Sequence, residues 1–318
     1  MHPLRAVEGG RVTILGSGFR FDPPPEVSID EVPARVAFAS EGRLVVVTPG
    51  ELDGGRAAIK VSGAPGETAY VSVGAKWATG LHQVDNPVFN AKGDLFVTYS
   101  GARGQEAPVS IFRVTREGTR EPFGSGIVNA TPMTFGPDGQ LYVSSRFEGA
   151  VYRLNESGAP EEVASDLGVA CGLAFDQDGG LYVGDRSGTI FRVFHGHTTV
   201  FASIPPSVAA FHLAMSAEQE LFVTAPTLNP YDYIYRIDRQ GEVRTISSPL
   251  GRPQGLAFAP DGTLHVVEAL AGASGVYRFS RLDVAPERIV SAATLVGLAF
   301  GPRGELVVAS NETAYRFE

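Results

Sequence analysis

Gly255-Leu256-Ala257-Phe258-Ala259-Pro260-Asp261-Gly262-Thr263-Leu264-His265-Val266 holds a complete β-hairpin in twelve residues. An apolar run ends at Phe258, Pro260-Asp261-Gly262 makes the turn, and a second apolar run opens at Leu264, six residues after Phe258. Glycine accepts the positive φ of a tight turn, and proline and aspartate favour its other positions. The same step recurs five more times. First runs end at Phe89, Phe135, Phe175, Met215 and Phe300, and second runs open at Leu95, Leu141, Leu181, Leu221 and Leu306. Only the fourth copy departs from the glycine turn, with Glu218-Gln219-Glu220. A third run carries an aromatic–arginine pair in every copy, from Phe112-Arg113 to Tyr315-Arg316, and strand alternation sends the two side chains to opposite faces. A fourth run, such as Glu162-Val163-Ala164, follows in five copies. Units of roughly 40–45 residues with four strands each are the mark of propeller blades. The reading is an all-β chain with a six-bladed β-propeller over residues 76–318.

The sixth copy stops at Glu318, before any fourth strand. Trp77-Ala78-Thr79-Gly80-Leu81 matches Val163-Ala164-Ser165-Asp166-Leu167, and Ala78 precedes Asn86 by the same eight residues that separate Ala164 from Gly172. Residues 76–81 are therefore expected to supply the missing strand and close the ring, which removes an exposed sheet edge.

The copies lack the Trp-Asp end and Gly-His start of WD40 blades. Their Gly-Leu-Ala-Phe, Pro-Asp-Gly and Leu-Tyr-Val runs resemble NHL-repeat propellers and the SMP-30/gluconolactonase-like family. Upstream, Gly9-Gly10-Arg11-Val12-Thr13-Ile14-Leu15-Gly16-Ser17-Gly18-Phe19 resembles the opening of an IPT/TIG domain, which implies an immunoglobulin-like β-sandwich over residues 1–75. Some relatives of that module bind DNA. Here residues 1–76 hold eight Lys/Arg against nine Asp/Glu, which disfavours that role and leaves a spacer or docking domain.

Composition agrees with many short strands. Hydrophobic residues are 43% and charged residues 19%, enough for a buried core, and 38 glycines with 22 prolines provide turns. A net charge of −9 without a basic cluster argues against nucleic acid as a partner. No run of 18 apolar residues occurs, so no membrane insertion is expected. Met1-His2-Pro3-Leu4-Arg5 has no apolar core of a signal peptide, which leaves a cytoplasmic location or export after trimming. Cys171 is the single cysteine and can form no intrachain disulfide.

The default ligand site of a propeller is the mouth where first strands begin and second strands end. First strands begin at Asp85, Thr131, Cys171, Phe211, Gln254 and Val296, and the second-strand ends carry Arg146, Asp185-Arg186, Glu268 and Asn311. Arg146, Asp185, Arg186, Gln254 and Asn311 are the candidate ligand-binding residues, since arginine grips carboxylate or phosphate in a fork. The alternative is a set of ion pairs that merely caps the channel. Asp85, His212 and Glu268 are candidate acid–base groups. The SMP-30 resemblance implies a divalent metal held by a Glu, two Asn and an Asp at the first-strand beginnings, but Phe211 and Val296 cannot ligate. Asp85, Asp185 and Glu268 could offer calcium, zinc or manganese a different oxygen site. Expected partners are a small polar molecule, a carbohydrate or a protein. The expected function is ligand or partner binding at the channel mouth; the alternative is metal-dependent hydrolysis of a sugar lactone or related ester.

Overall fold

The computed structural model describes residues 1–64, 68–209, 211–246 and 248–317, and no helix occurs among them. The chain is all-β and contains a β-propeller. Its first strands are Val88–Phe89, Ala130–Phe135, Ala170–Phe175, His212–Met215, Pro253–Phe258 and Gly297–Phe300. Each packs against the next, and Gly297–Phe300 packs back against Val88–Phe89, so the six form a closed cycle around a central channel. The hairpin turns take the backbone that the repeat predicts. Gly93, Gly139, Gly179, Gly262 and Gly304 have φ between +75° and +87°, and Gln219 takes the same place in the fourth copy at +63°.

One expectation needs correcting. The repeats predict six equal, separate sheets, whereas among the described residues five separate four-stranded sheets stand on their own. The four strands of the fifth repeat, Pro253–Phe258 to Glu287–Ser291, instead form one end of an eleven-stranded sheet. The cause is the short strand Arg5–Ala6. It runs parallel to Glu287–Ser291 on one side, with Arg5 opposite Val290, and parallel to Ala69–Val73 on the other. An outer strand that would present unpaired amides is thereby covered by the N-terminal segment.

The last four-stranded sheet is closed by Ala75–Thr79, which pairs antiparallel with Thr313–Phe317, Ala78 opposite Ala314. Trp77 lies in the seam between this sheet and the first, 5.8 Å from the Phe89 ring centroid and beneath the Arg316 guanidinium. N-terminal to this strand, two layers pack face to face. Val12, Ile14, Leu44 and Val46 from one layer bury against Val27, Ile29, Ala57, Ile59 and Val71 from the other. The strand Val32–Ser40 pairs with Val27–Ile29 along its first half and with Arg43–Val47 along its second, so it belongs to both layers. No helix of the described residues is long and apolar enough to cross a membrane.

Candidate functional site

First strands all begin on one face of the ring, here the entry face, and end at the hairpin turns on the other. A cavity of about 340 Å³ lies on the channel. Its floor is Asp85 and Asn86, its walls include Pro132, Leu173, Leu213 and Leu298, and Phe89, Phe135, Phe258 and Phe300 stand at the hairpin end. The phenylalanines are partly exposed, whereas Asp85, Cys171, Phe211 and Gln254 are buried. The cavity thus reaches Asp85 from the hairpin side rather than from the entry mouth that sequence reasoning favoured.

The glycines of the Gly-Leu-Ala-Phe runs explain how the floor is built. A Cβ on Gly255 would sit 2.1 Å from Asn86 Oδ1, and one on Gly297 would sit 2.6 Å from Asn86 Cα. With only hydrogen there, Asn86 enters between the fifth and sixth repeats. Its amide nitrogen donates to Leu256 O, and its Oδ1 accepts from Leu298 N. The neighbouring Asp85 is thereby carried to the axis, where it meets His212 from the fourth repeat, on the opposite side of the ring. His212 Nδ1 and Asp85 Oδ1 are 2.7 Å apart. That approach is short but not aligned as a hydrogen bond. Asp85 Oδ1 also accepts from the Asn86 backbone N–H at 2.5 Å. Asp85 Oδ2 and both imidazole nitrogens of His212 are buried without a hydrogen-bond partner among the described residues. His212 is 0% exposed and Asp85 4%. Buried polar atoms are nearly always paired, so three orphans on one pair of side chains require an explanation.

The other candidates are placed differently. Asp185 is turned away from the channel into a loop: its Oδ1 accepts from Val169 N at 2.8 Å, and its Oδ2 accepts from the Ser187 hydroxyl. Glu268 holds three amides, from Gly251, Arg252 and Leu270. Both carboxylates fasten the loop that leads into the first strand. Asn311 donates to Gln83 O at 2.8 Å and ties the sixth repeat to the first. Gln254 is buried next to the axis. Arg146 is half-buried and Arg186 exposed on the entry face. None of these six residues lines the cavity, so the structure joins Asp85 and His212 but separates them from Glu268. No three His, Cys, Asp or Glu side chains among the described residues gather as a metal site. Asp185 and Glu268 are instead engaged by loop donors, and Asp85, Asp185 and Glu268 do not gather as one oxygen site among the described residues. Burial pushes the Cys171 thiol up to about 12, with Asp85 adding to the rise, so it carries no thiolate nucleophile at neutral pH.

Sequence reasoning missed Asn86 and the reach of Asp85 to His212. The available sign was the recurring glycine at Gly172, Gly255 and Gly297, since a repeated glycine at the channel wall marks a close approach of neighbouring backbone.

Residues 2–73 match the IPT/TIG domain model. Among curated proteins no relative matches. Solved structures share the fold. An auxiliary nutrient binding protein from Bacteroides ovatus superposes with a TM-score of 0.60 at 13% identity, covering 100% of this chain and 96% of that one. A protein assigned as a gluconolactonase gives 0.60 at 17% identity over 76% of this chain and 90% of its own. Virginiamycin B lyase from Staphylococcus aureus gives 0.55 at 16% identity over 97% and 99%. At these identities the likeness is one of fold alone.

Proposed function

We propose that the chain binds a small hydroxyl- or amine-bearing molecule, such as a sugar or sugar acid, in the channel cavity, with Asp85 as its polar anchor. The observation that carries this reading is the group of unpartnered polar atoms on Asp85 and His212. A ligand donor on Asp85 Oδ2 would supply the missing hydrogen bond, and the proline and leucine walls would take the apolar side of the molecule. His212 lies behind Asp85 and acts through it. The fold shared with auxiliary nutrient binding proteins agrees with a binding role. The closed cycle of first strands supports a count of six repeats, the fifth being the one joined to the N-terminal layers. The IPT/TIG match supports an immunoglobulin-like sandwich ahead of them.

Thermal unfolding in the presence of a panel of monosaccharides, sugar acids and sugar lactones tests the reading. At least one compound should raise Tm in the parent protein but not in Asp85→Asn. A panel without effect, or equal shifts in the two proteins, contradicts it.

Hydrolysis of a sugar lactone is the second reading, favoured by one feature: a carboxyl facing a cavity with an imidazole against its other oxygen can pass a proton. Release of acid from the same lactones, lost in both Asp85→Asn and His212→Leu, would establish it; binding without acid release would leave recognition alone.

A further inference from the structure

Large apolar side chains are exposed unevenly over the propeller. Of the ten exposed among the described residues of 76–317, seven stand on entry-face loops, and these include each exposed aromatic of that set. Tyr99 and Phe147 rise over the first and second repeats, with the Phe147 ring against Gly104. Val208, Leu228, Tyr231 and Tyr233 cluster over the fourth repeat, and Leu270 stands over the fifth. Leu228 is 89% exposed and Tyr231 61%. Scattered apolar residues on a surface mean nothing, but a face that gathers them marks an interaction surface.

Four arginines share this face: Arg103, Arg146, Arg186 and Arg252. The third-strand arginines Arg113, Arg153, Arg192, Arg236 and Arg278 each pair with a carboxylate. The four on the entry face form no ion pair among the described residues. Of the carboxylates nearby, Asp85 is buried at the axis against His212 and the Asn86 backbone amide, and the others are engaged elsewhere. Asp185 and Glu268 hold loop amides, Asp232 holds Thr227, and Glu148 is turned outward to the Tyr152 hydroxyl. The exposed Glu106, Asp166 and Glu312 reach none of the four arginines. Arg146 and Arg186 directly follow the ends of the second strands Leu141–Ser145 and Leu181–Asp185 in adjacent repeats, and both act electrostatically on Cys171.

We propose that the entry face docks a segment of a partner protein, with a partner carboxylate between Arg146 and Arg186 and apolar partner side chains on Phe147, Leu228 and Tyr231. Aromatic and arginine side chains are the residues that carry binding energy at protein interfaces. An arginine pair without a carboxylate of its own selects one on the partner. The Arg11 guanidinium, which comes close over Gly272, puts the N-terminal layers at one side of this face, so the segment approaches from the first four repeats.

The test is selection of a phage-displayed dodecapeptide library on the full chain, followed by fluorescence anisotropy with the selected peptides. The comparison proteins are Arg146→Glu/Arg186→Glu and Leu228→Ser/Tyr231→Ser, with unchanged Tm as the control for folding. Selected peptides should combine Asp or Glu with Leu, Phe or Trp. They should bind the parent at least tenfold more tightly than either variant, and more weakly as salt rises. Peptides without carboxylates, equal binding to the variants, or no selected peptide overturns the proposal. So does citrate binding as tightly as the peptides, which would make the site one for small anions. Concentration-dependent dimerisation abolished by the arginine variant would assign the face to a second copy of this chain and equally overturn it.

Discussion

If Asp85 and His212 are kept in the core for a ligand, the empty protein should be more stable when both are removed than when one is. His212→Leu strips Asp85 of its neighbour and leaves a buried carboxyl with only the Asn86 amide on Oδ1. Breaking a buried pair in this way costs about 3–5 kcal/mol, and the poor alignment of this one points to the lower figure. For a domain of this size, ~3 kcal/mol is a fall in Tm of roughly 6–12 °C. In Asp85→Val/His212→Leu all three orphaned atoms disappear together. Replacing a buried polar pair by apolar side chains is often neutral or stabilising by about 1–4 kcal/mol. Losing the hydrogen bond from the Asn86 backbone N–H subtracts about 1 kcal/mol. The double variant should therefore equal or exceed the parent by up to ~3 kcal/mol, with a coupling of about 3 kcal/mol or more in the double-mutant cycle. Urea unfolding of the four proteins measures it. Additive losses, with the double variant less stable than either single one, would show that the pair serves the fold and would refute the reasoning.

Further outcomes are expected elsewhere in the chain. Trp77→Ala opens the seam between first and last sheets at a residue 9% exposed and should cost about 3–5 kcal/mol by urea unfolding, whereas a loss under 1 kcal/mol would deny its role in closure. Gly262→Ala meets open space at φ +82° and should cost only about 1 kcal/mol; Gly158→Ala would put its Cβ 1.8 Å from Phe123 O and should cost clearly more. Burial, the largest influence, lowers the pKa of His265, so the folded state binds its proton less readily than the unfolded chain. The stability this contributes is present above the ordinary value of 6.5 and is lost as pH falls from there through the folded value. His265→Phe should flatten the loss between pH 7 and pH 5. The Cys171 thiol, 3% exposed, should resist a thiol-labelling reagent in the native protein and react on unfolding.

What was legible in the sequence was local. The hairpin step depends on a turn and two alternating runs within some twelve residues, so Pro260-Asp261-Gly262 could be read directly. Closure by the strand at Trp77 was legible because a register count compared two segments of the same kind. The reach of Asp85 to His212 was not, because it depends on where Asn86 enters between two strands some 170 and 210 residues later in the chain. The loop contacts of Asp185 and Glu268 were hidden for a similar reason. A carboxylate at the end of a second strand has the same appearance in sequence whether it faces the channel or fastens a loop, and only the amides of Val169, Gly251 and Arg252 decide. The merging of the fifth repeat with the N-terminal layers rests on two residues, Arg5 and Ala6, too short a strand for any periodicity to reveal.

A crystal structure of the protein saturated with the compound that most raises its Tm bears most directly on the channel site. The account predicts density in the cavity with a ligand donor about 2.7–3.1 Å from Asp85 Oδ2. Density confined to the entry face or the N-terminal layers, with the Asp85 oxygen still unpaired, would contradict it.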